Sequence, residues 1–546
     1  MRQLHNIWVH PLRRWQDENY TECMKKYDAG AKDFLSMATP GAGKTRAAMR
    51  IAHKFLSLRF AERLIIVVPT DHLKKQWAED AFLYGVDLDP NFSNDQGAET
   101  NDYHGIVVTY AAVGMNAEVY RRLTDGKKAF VILDEIHHAG DSLTWGDAVK
   151  FAFENAYFRL GLSGTPFRRD DNPIPFVTYD EHNVSKADYA YSYQDAIMDN
   201  VCRAVHFPAY DGIMEWITDG VNYKHNFEDL LDASQSSERL KTALDPNGEF
   251  LRHMISDAHE KLLEIREKEF HTDAAGLVFA IDQEHARKIG NLIAGMTGEI
   301  PVVVLSDDKE SSKKIKEFRE TATKWIVCVK MISEGVDIPR LRVGVYATNI
   351  RSELFFRQAV GRFVRILNFL QAQDAYLFVP KDSGLVEYAA KIEEEREHAL
   401  DKAESGNKPP KEKQTKEEEK ERAKKEFAAV SSIVTDKVQL ELGLSDKLTS
   451  MFNLPIAYAN KIAVSTAKRK AQEEDAVPIY VRKNKIRDEI NELAKKIAIK
   501  RKNGGEIDWD IAHKEYMRAG GKPISIETLF ELEKRKKHFE KMLEKN

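Results

Sequence analysis

Residues 38–45 read Ala38-Thr39-Pro40-Gly41-Ala42-Gly43-Lys44-Thr45. A small residue, four spacers and then Gly-Lys-Thr is the spacing of a phosphate-binding loop. Pro40, Gly41, Ala42 and Gly43 supply the backbone of that loop. Glycines let its N–H groups turn inward around phosphate oxygens, where a Cβ would block the approach. Lys44 offers a point charge to the β- and γ-phosphates, and the Thr45 hydroxyl suits Mg²⁺. Upstream, Phe34-Leu35-Ser36-Met37 reads as a short buried strand. Downstream, Ala47, Ala48, Ile51, Ala52, Phe55 and Leu56 recur at helical spacing. The loop is thus expected at a strand end and a helix N-terminus, where anions bind well.

Working outward, the pattern repeats. Leu64–Val68, Ile106–Val108, Phe130–Leu133 and Leu160–Leu162 are short apolar runs, each followed by polar residues. Such runs suit strands covered on both faces of a parallel sheet, with functional loops at their C-terminal ends. One of these loops is Asp134-Glu135-Ile136-His137-His138. Beside a phosphate loop, Asp134 can hold Mg²⁺, mostly through water. Glu135 can orient and deprotonate the attacking water. His137-His138 also suggests zinc, but no cysteine or carboxylate stands at usable spacing for a protein metal site.

A second set of strand-like runs begins near residue 275: Leu277–Ala280, Val302–Leu305, Trp325–Val329, Val343–Tyr346 and Ala375–Val379. The fold class expected is α/β, two tandem parallel-sheet domains, then a charged linker or helical hairpin and a helical C-terminal module. The boundaries expected are 1–205, 206–385, 386–428 and 429–546. Asp219–Lys268 reads as helical. In the second domain, Gln358-Ala359-Val360-Gly361-Arg362-Phe363-Val364-Arg365 places Arg362 and Arg365 three apart, on one face if helical. Two guanidiniums so placed can neutralise charge developing on a γ-phosphate. An ATP site shared by the two domains follows as the expectation.

Composition bounds the rest. With 42% hydrophobic residues the chain can build full cores, and its net charge of −5 argues against a uniformly basic coat. Between Val481 and Asn546, however, 18 Lys and Arg stand against 12 Asp and Glu. That end reads either as a basic module or as a solvated helical surface. Cys23, Cys202 and Cys328 form no framework, which fits a reducing compartment. No apolar run nears the ~20 residues needed to span a bilayer. The N-terminus lacks the apolar core of a signal peptide. A soluble, cytoplasmic protein is expected. Trp77, Trp145 and Trp216 could stack on bases, although core positions suit them better.

Taken together and in order, these motifs resemble superfamily 2 helicases of the DExH kind, with two RecA-like domains, over about residues 10–380. Finer details resemble the type III restriction-subunit branch: Leu162-Ser163-Gly164-Thr165-Pro166-Phe167-Arg168 and Tyr191–Ala196. The resemblance implies ATP and Mg²⁺ as cofactors and nucleic acid as partner, DNA rather than RNA. It implies that Gln16, in Leu12-Arg13-Arg14-Trp15-Gln16, reads adenine. Thr70 and Thr109 would touch the nucleic-acid backbone, as would Ser333. Ser163 and Thr165 would couple hydrolysis to domain movement. Gly335, Asp337 and Gln358 would join the nucleotide site, and Arg362 and Arg365 would act as arginine fingers. Ala38 replaces the usual first glycine and Gly164 the commoner alanine; neither change removes a catalytic side chain. No nuclease constellation follows residue 380, so cleavage is not expected. The activity implied is an ATP-dependent motor on DNA. The alternative is an ATP-state-controlled nucleic-acid-binding switch or recruitment subunit of a defence or repair complex, without strand separation; the C-terminal module is a candidate to bind DNA or a partner protein.

Overall fold

The computed structural model describes residues 4, 8–96, 101–140, 143–164, 174–181, 184–305, 310–329, 338–367, 373–404, 427–439, 477–501 and 508–544. The chain groups into two compact units. The first takes Met1–Met37, Gly43–Ala190 and Pro455–Asn546; the second takes Ala38–Ala42 and Tyr191–Leu454.

The first sheet holds β1 (Asp33–Ala38), β2 (Arg63–Val68), β3 (Leu88–Asp89), β4 (Gly105–Thr109), β5 (Ala129–Leu133), β6 (Phe158–Ser163) and β7 (Tyr189–Tyr191). Their order is β3-β4-β2-β5-β6-β1-β7. The chain β4-β2-β5-β6-β1 is parallel at every junction, with Val67 level with Leu133 and Val108, and Met37 level with Ser163. β2 shows why the apolar runs are unbroken rather than alternating. Leu64, Ile66 and Val68 enter one buried cluster, while Ile65 and Val67 enter another on the opposite face. Both faces are covered, so every position must be apolar.

Three helices near the C-terminus, Ile479–Lys500, Ile511–Arg518 and Leu529–Glu544, belong to this first unit. Ile479 and Tyr480 share a buried cluster with Phe55, Leu64 and Trp77. The buried Lys483 ammonium meets the Asp102 carboxylate at 3.1 Å, and the same carboxylate accepts the Leu529 N–H at 2.9 Å. Asp102 therefore pins two helices at once. Beyond it the helices form a cluster of their own around Ile490, Ile497, Leu532 and Phe539.

The second unit's sheet is built from β8 (Val205–His206), β9 (Pro208–Thr218), β10 (Val221–His225), β11 (Ala275–Ala280), β12 (Val302–Val304), β13 (Trp325–Cys328), β14 (Leu341–Ala347), β15 (Ala375–Pro380) and β16 (Phe427–Gln439). The main path is β10-β9-β15-β14-β11-β13-β12, with β8 on β15 and β16 on β9. β12, β13, β11, β14 and β15 are mutually parallel, while β10 and β16 lie antiparallel to β9.

Two stretches differ from the sequence expectation. Asp219–Lys268 was expected to be helical throughout, but it begins with the return strand of a hairpin. Asp219 and Gly220, at φ +53° and +79°, make the tight turn into β10. That left-handed pair matches the twist of two antiparallel strands. The helices Ala233–Ala243 and Glu249–Lys268 follow. Phe427–Gln439 falls in the reach expected as charged hairpin and helical module, and it is a strand. Its Val430, Ile433, Val434, Thr435 and Val438 are β-branched, and an edge of β9 rewards that more than local helix propensity does. Of the charged hairpin, the helix Ser383–Glu404 is described, and residues 405–426 lie outside the described residues.

Candidate functional site

The phosphate loop leaves β1 with the two left-handed glycines it needs, Gly41 at φ +84° and Gly43 at φ +96°. Gly43 caps the helix Lys44–Ser57, and Thr45 lies in that helix's first turn. Pro40 and Ala42 fill the loop, where the Ala42 N–H returns to the Thr39 carbonyl at 3.2 Å. Gln16 is tied to this loop: its Nε2 donates to the Gly43 carbonyl at 3.0 Å. Its Oε1 accepts the Arg13 N–H at 2.9 Å, at the N-cap of the helix Arg14–Asp28. Position 43 favours glycine for its φ, and a Cβ there would lie 3.0 Å from Gln16 Nε2, so the glutamine side chain would have to shift.

The acids sit directly after β5. Lys44 Nζ meets Glu135 Oε1 at 2.6 Å, and Glu135 Oε2 accepts the Gly164 N–H at 3.1 Å. Three motifs far apart in sequence thus converge on one carboxylate. Glu135 adopts φ +45°, a left-handed conformation costly for a residue with a Cβ. His137 Nδ1 stands 3.7 Å from Glu135 Oε2. Asp134 is buried, and its Oδ2 accepts the Trp77 indole N–H at 2.7 Å. Its carbonyl accepts the Tyr110 hydroxyl at 3.0 Å. Burial, and then the Glu135 charge, push the Asp134 carboxyl above the usual range. For Glu135 burial acts upward too, but the Lys44 and His137 charges outweigh it and hold the carboxyl low. The two neighbouring acids are pushed apart, with Glu135 as the ionised member.

Thr70, Thr109 and Ser163 follow or end β2, β4 and β6, at the same edge of the parallel sheet as the loop and the acids. Thr70 is the N-cap residue of the helix Asp71–Leu83. Thr109 caps the helix Tyr110–Met115, its hydroxyl accepting the Ala112 N–H at 3.1 Å. Ser163 is fully buried. Thr165, Ser333, Gly335 and Asp337 lie outside the described residues.

In the second unit, Gln358 is buried in the helix Glu353–Val360. The expected arginine helix is corrected here. The helix ends at Val360, Arg362 lies in the turn that follows, and Arg365 is extended, bridged to Cys202. Gly361 ends the helix, and the apolar Phe363 and Val364 turn into the core instead of continuing it. What fixes this segment is a residue that sequence reasoning missed. Arg203, buried, donates its guanidinium to the carbonyls of Phe363, of Pro339 at 3.0 Å and of Leu341 at 2.6 Å. Its own N–H reaches the Val364 carbonyl at 2.9 Å. Burial and the nearby Arg342 charge push the Arg203 value down. The signal was one arginine inside the apolar run Val201-Cys202-Arg203-Ala204-Val205. Trp77 and Trp216, weighed as base stackers, are both core residues.

Among the described residues, no cluster of three or more His, Cys, Asp or Glu could hold a metal alone. The donors present, one buried carboxylate at Asp134 and a hydroxyl at Thr45, fit Mg²⁺ completed by phosphate oxygens and water. Among the described residues no helix is long and apolar enough to cross a membrane.

Residues 10–168 match the family model for the type III restriction enzyme res subunit, and residues 257–367 match the helicase conserved C-terminal domain. The two matches support a superfamily 2 helicase core of the type III restriction-subunit-like kind. An uncharacterized protein of Mycobacterium leprae is 44% identical over 398 residues, covering 72% of this chain and 65% of that protein. An uncharacterized protein of Mycobacterium tuberculosis strain H37Rv is 45% identical over 395 residues, covering 71% and 64%. The chain thus spans slightly less than two thirds of these relatives' length. The DNA 3′-5′ translocase XPB2 of Sulfurisphaera tokodaii is 27% identical over 372 residues, covering 65% of this chain and 78% of that protein. A solved fragment ascribed to an HsdR subunit of a type I restriction enzyme from Vibrio vulnificus YJ016 aligns with a TM-score of 0.50. Its identity is 19%, with 70% of this chain and 67% of that one covered. A tandem RecA-like architecture accounts for the parallel strands at the core of both sheets.

Proposed function

We propose that the chain is an ATP-dependent translocase or helicase acting on DNA. The observation that carries this is the Glu135 carboxylate, held between Lys44 Nζ and the Gly164 N–H. A phosphate-binding lysine, a hydrolytic acid and the motif following β6 meet on one side chain. A bound Mg²⁺ would neutralise charge on the β- and γ-phosphates. Asp134 and Thr45 would hold that ion. Lys44 exchanges Glu135 for phosphate oxygens, which frees Glu135 to orient a water and accept its proton. Paired with Lys44, Glu135 is held ionised, and losing that partner to the phosphates raises its proton affinity toward that of a usable base. Gln16 reads the adenine edge, with Gly335, Asp337 and Gln358 completing the nucleotide site. Arg362 and Arg365 stabilise charge on the γ-phosphate in transfer. Thr70, Thr109 and Ser333 grip the strand backbone, which carries little sequence information. Ser163 and Thr165 transmit the loss of the γ-phosphate. DNA is favoured because the archaeal relative XPB2 is a DNA 3′-5′ translocase.

ATPase measured with single-stranded DNA, duplex DNA, forked DNA and RNA tests the reading. Stimulation by DNA above RNA, together with ATP-driven stripping of streptavidin from a biotinylated strand, is expected. Arg362→Ala is expected to abolish stimulated turnover. Full DNA-stimulated ATPase in Arg362→Ala would show that the arginine takes no part in the site.

A further inference from the structure

Asp134 is held from two directions by two helices, and each helix starts at a residue assigned above to the nucleic-acid backbone. The helix Asp71–Leu83 has Thr70 as its N-cap residue and, two turns in, sends the Trp77 indole N–H to Asp134 Oδ2 at 2.7 Å. The helix Tyr110–Met115 has Thr109 as its N-cap residue, and its first residue sends the Tyr110 hydroxyl to the Asp134 carbonyl at 3.0 Å. Trp77 is 3% exposed and Tyr110 fully buried. Their rings are packed among Leu73, Val68 and Ala78 on one side of the sheet and Ile106, Val108 and Val113 on the other. Close packing leaves little room to absorb a displacement, so a shift of either helix start moves its donor. The acceptor is one residue from Glu135, whose backbone is strained in the left-handed region. Satisfying a buried indole or phenol would need only some acceptor. Here both donors, from opposite faces of the sheet, use the same residue.

We propose that Trp77 and Tyr110 are positioning residues that carry the engagement of a nucleic-acid strand at Thr70 and Thr109 to the carboxylate of Asp134. Binding of the strand sets where that carboxylate points, and so how well the site accepts a divalent cation beside the phosphates. This rests on the proposed assignment of Thr70 and Thr109. It differs from that reading in naming the route by which the track is sensed, and Asp134 as the element that both sites bias.

The test uses Trp77→Phe and Tyr110→Phe in the full chain; each keeps an aromatic ring and deletes the polar donor. Three quantities are measured with and without oligo(dT). They are the ATPase rate, oligo(dT) affinity, and Mn²⁺ affinity by electron paramagnetic resonance with a non-hydrolysable ATP analogue. In the natural protein, oligo(dT) is expected to raise both ATPase and Mn²⁺ affinity. In Trp77→Phe the ratio of stimulated to unstimulated ATPase is expected to fall about tenfold, the scale of one hydrogen bond to a charged group. The Mn²⁺ titrations with and without oligo(dT) should then coincide, while oligo(dT) still binds. Tyr110→Phe should show the same with a smaller fall, and its result decides between the outcomes if Trp77→Phe does not fold. Natural stimulation ratios in both variants overturn the proposal, as does an equal proportional fall of stimulated and unstimulated rates, which a purely structural role would give. A natural protein that neither binds nor responds to DNA or RNA overturns the proposed function itself.

Discussion

The two units organise their charged groups by opposite means. In the first, the groups proposed to do chemistry touch one another: Lys44 meets Glu135, Glu135 takes the Gly164 N–H, and Asp134 is clamped beside them. In the second, Arg362 and Arg365 belong to a turn and an extended segment whose carbonyls are held by Arg203. Arg203 lies in turn beside Arg342, which pairs with Glu269 and donates to the Asp374 carbonyl at 2.8 Å. Chemistry in the first unit is therefore exposed to any change in a motif side chain. Chemistry in the second should be exposed to buried arginines that touch no substrate.

The sharpest test of the first half is Glu135→Gln. It keeps the shape of the side chain and removes the base. Turnover should fall roughly 10³-fold, the middle of the range for losing a general base, with ATP binding retained. Steady-state hydrolysis alongside binding of a fluorescent ATP analogue checks it. Turnover within tenfold of the natural protein would move the base elsewhere.

The second half breaks or stands on Arg203. Arg203→Met leaves the carbonyls of Phe363, Pro339 and Leu341 without their donor. Buried carbonyls so orphaned cost about 1–3 kcal/mol each, less whatever water recovers. A loss of roughly 3 kcal/mol is expected by chemical denaturation, with faster hydrogen exchange concentrated in residues 338–367. Arg203→Lys keeps the charge but not the planar fork, and should recover little. If Arg203→Met leaves exchange in that segment unchanged, the scaffold argument for the second unit fails.

These contrasts also explain what the sequence could reveal. Both parallel sheets were legible, because a strand covered on both faces must be an unbroken apolar run, as Leu64–Val68 is. The phosphate loop and Asp134-Glu135 were legible because their chemistry forces residue types at fixed spacing. Arg203 was not, because its role depends on which carbonyls the fold brings around it, and no local spacing encodes that. The helical reading of Arg362 and Arg365 failed for a related reason. A three-residue spacing suits a helix, but Gly361 ends it and the core claims Phe363 and Val364. Trp77 was legible only as a core residue, since its bond to Asp134 depends on the neighbouring strand β5. Nor did the basic count after Val481 reveal that Lys483 is buried, its charge spent on Asp102.

That pair gives a third prediction, intermediate in size. It stands apart from both comparisons because its charges serve only docking. Asp102→Asn leaves Lys483 buried with its main counter-charge gone and weakens the acceptor for the Leu529 N–H. Breaking a buried pair from one side costs about 3 kcal/mol. Much of that should appear as local opening of the three C-terminal helices, read by hydrogen exchange and limited proteolysis over 479–544. ATPase without nucleic acid should stay near the natural rate. Unchanged protection of those helices would mean that Ile479 and Tyr480, not the ion pair, hold the module.

The smallest effect separates the two units by pH. The second unit's scaffold rests on arginines, which stay charged throughout the acid range. The first unit's acids do not behave alike. Glu135, held below the ordinary glutamate value of 4.5, contributes stability that is present above that value and lost as pH falls toward its depressed one. Asp134, raised above the ordinary aspartate value of 3.8, does the reverse: its contribution is full below 3.8 and lost as pH rises through its raised value. Glu135→Gln removes the first contribution outright. It also weakens the second, because the neighbouring negative charge is gone and Lys44 is left to Asp134 alone. These two changes oppose each other as pH falls toward 4, but below 3.8 the Asp134 contribution is already full, so melts of nucleotide-free protein from pH 3.8 to 3 should fall less steeply in Glu135→Gln than in the natural protein. Carbon NMR of labelled aspartate should show the Asp134 carboxyl titrating lower in the variant. If its titration stays where it was, the Glu135 charge is not what sets it, and burial alone must account for the raised value.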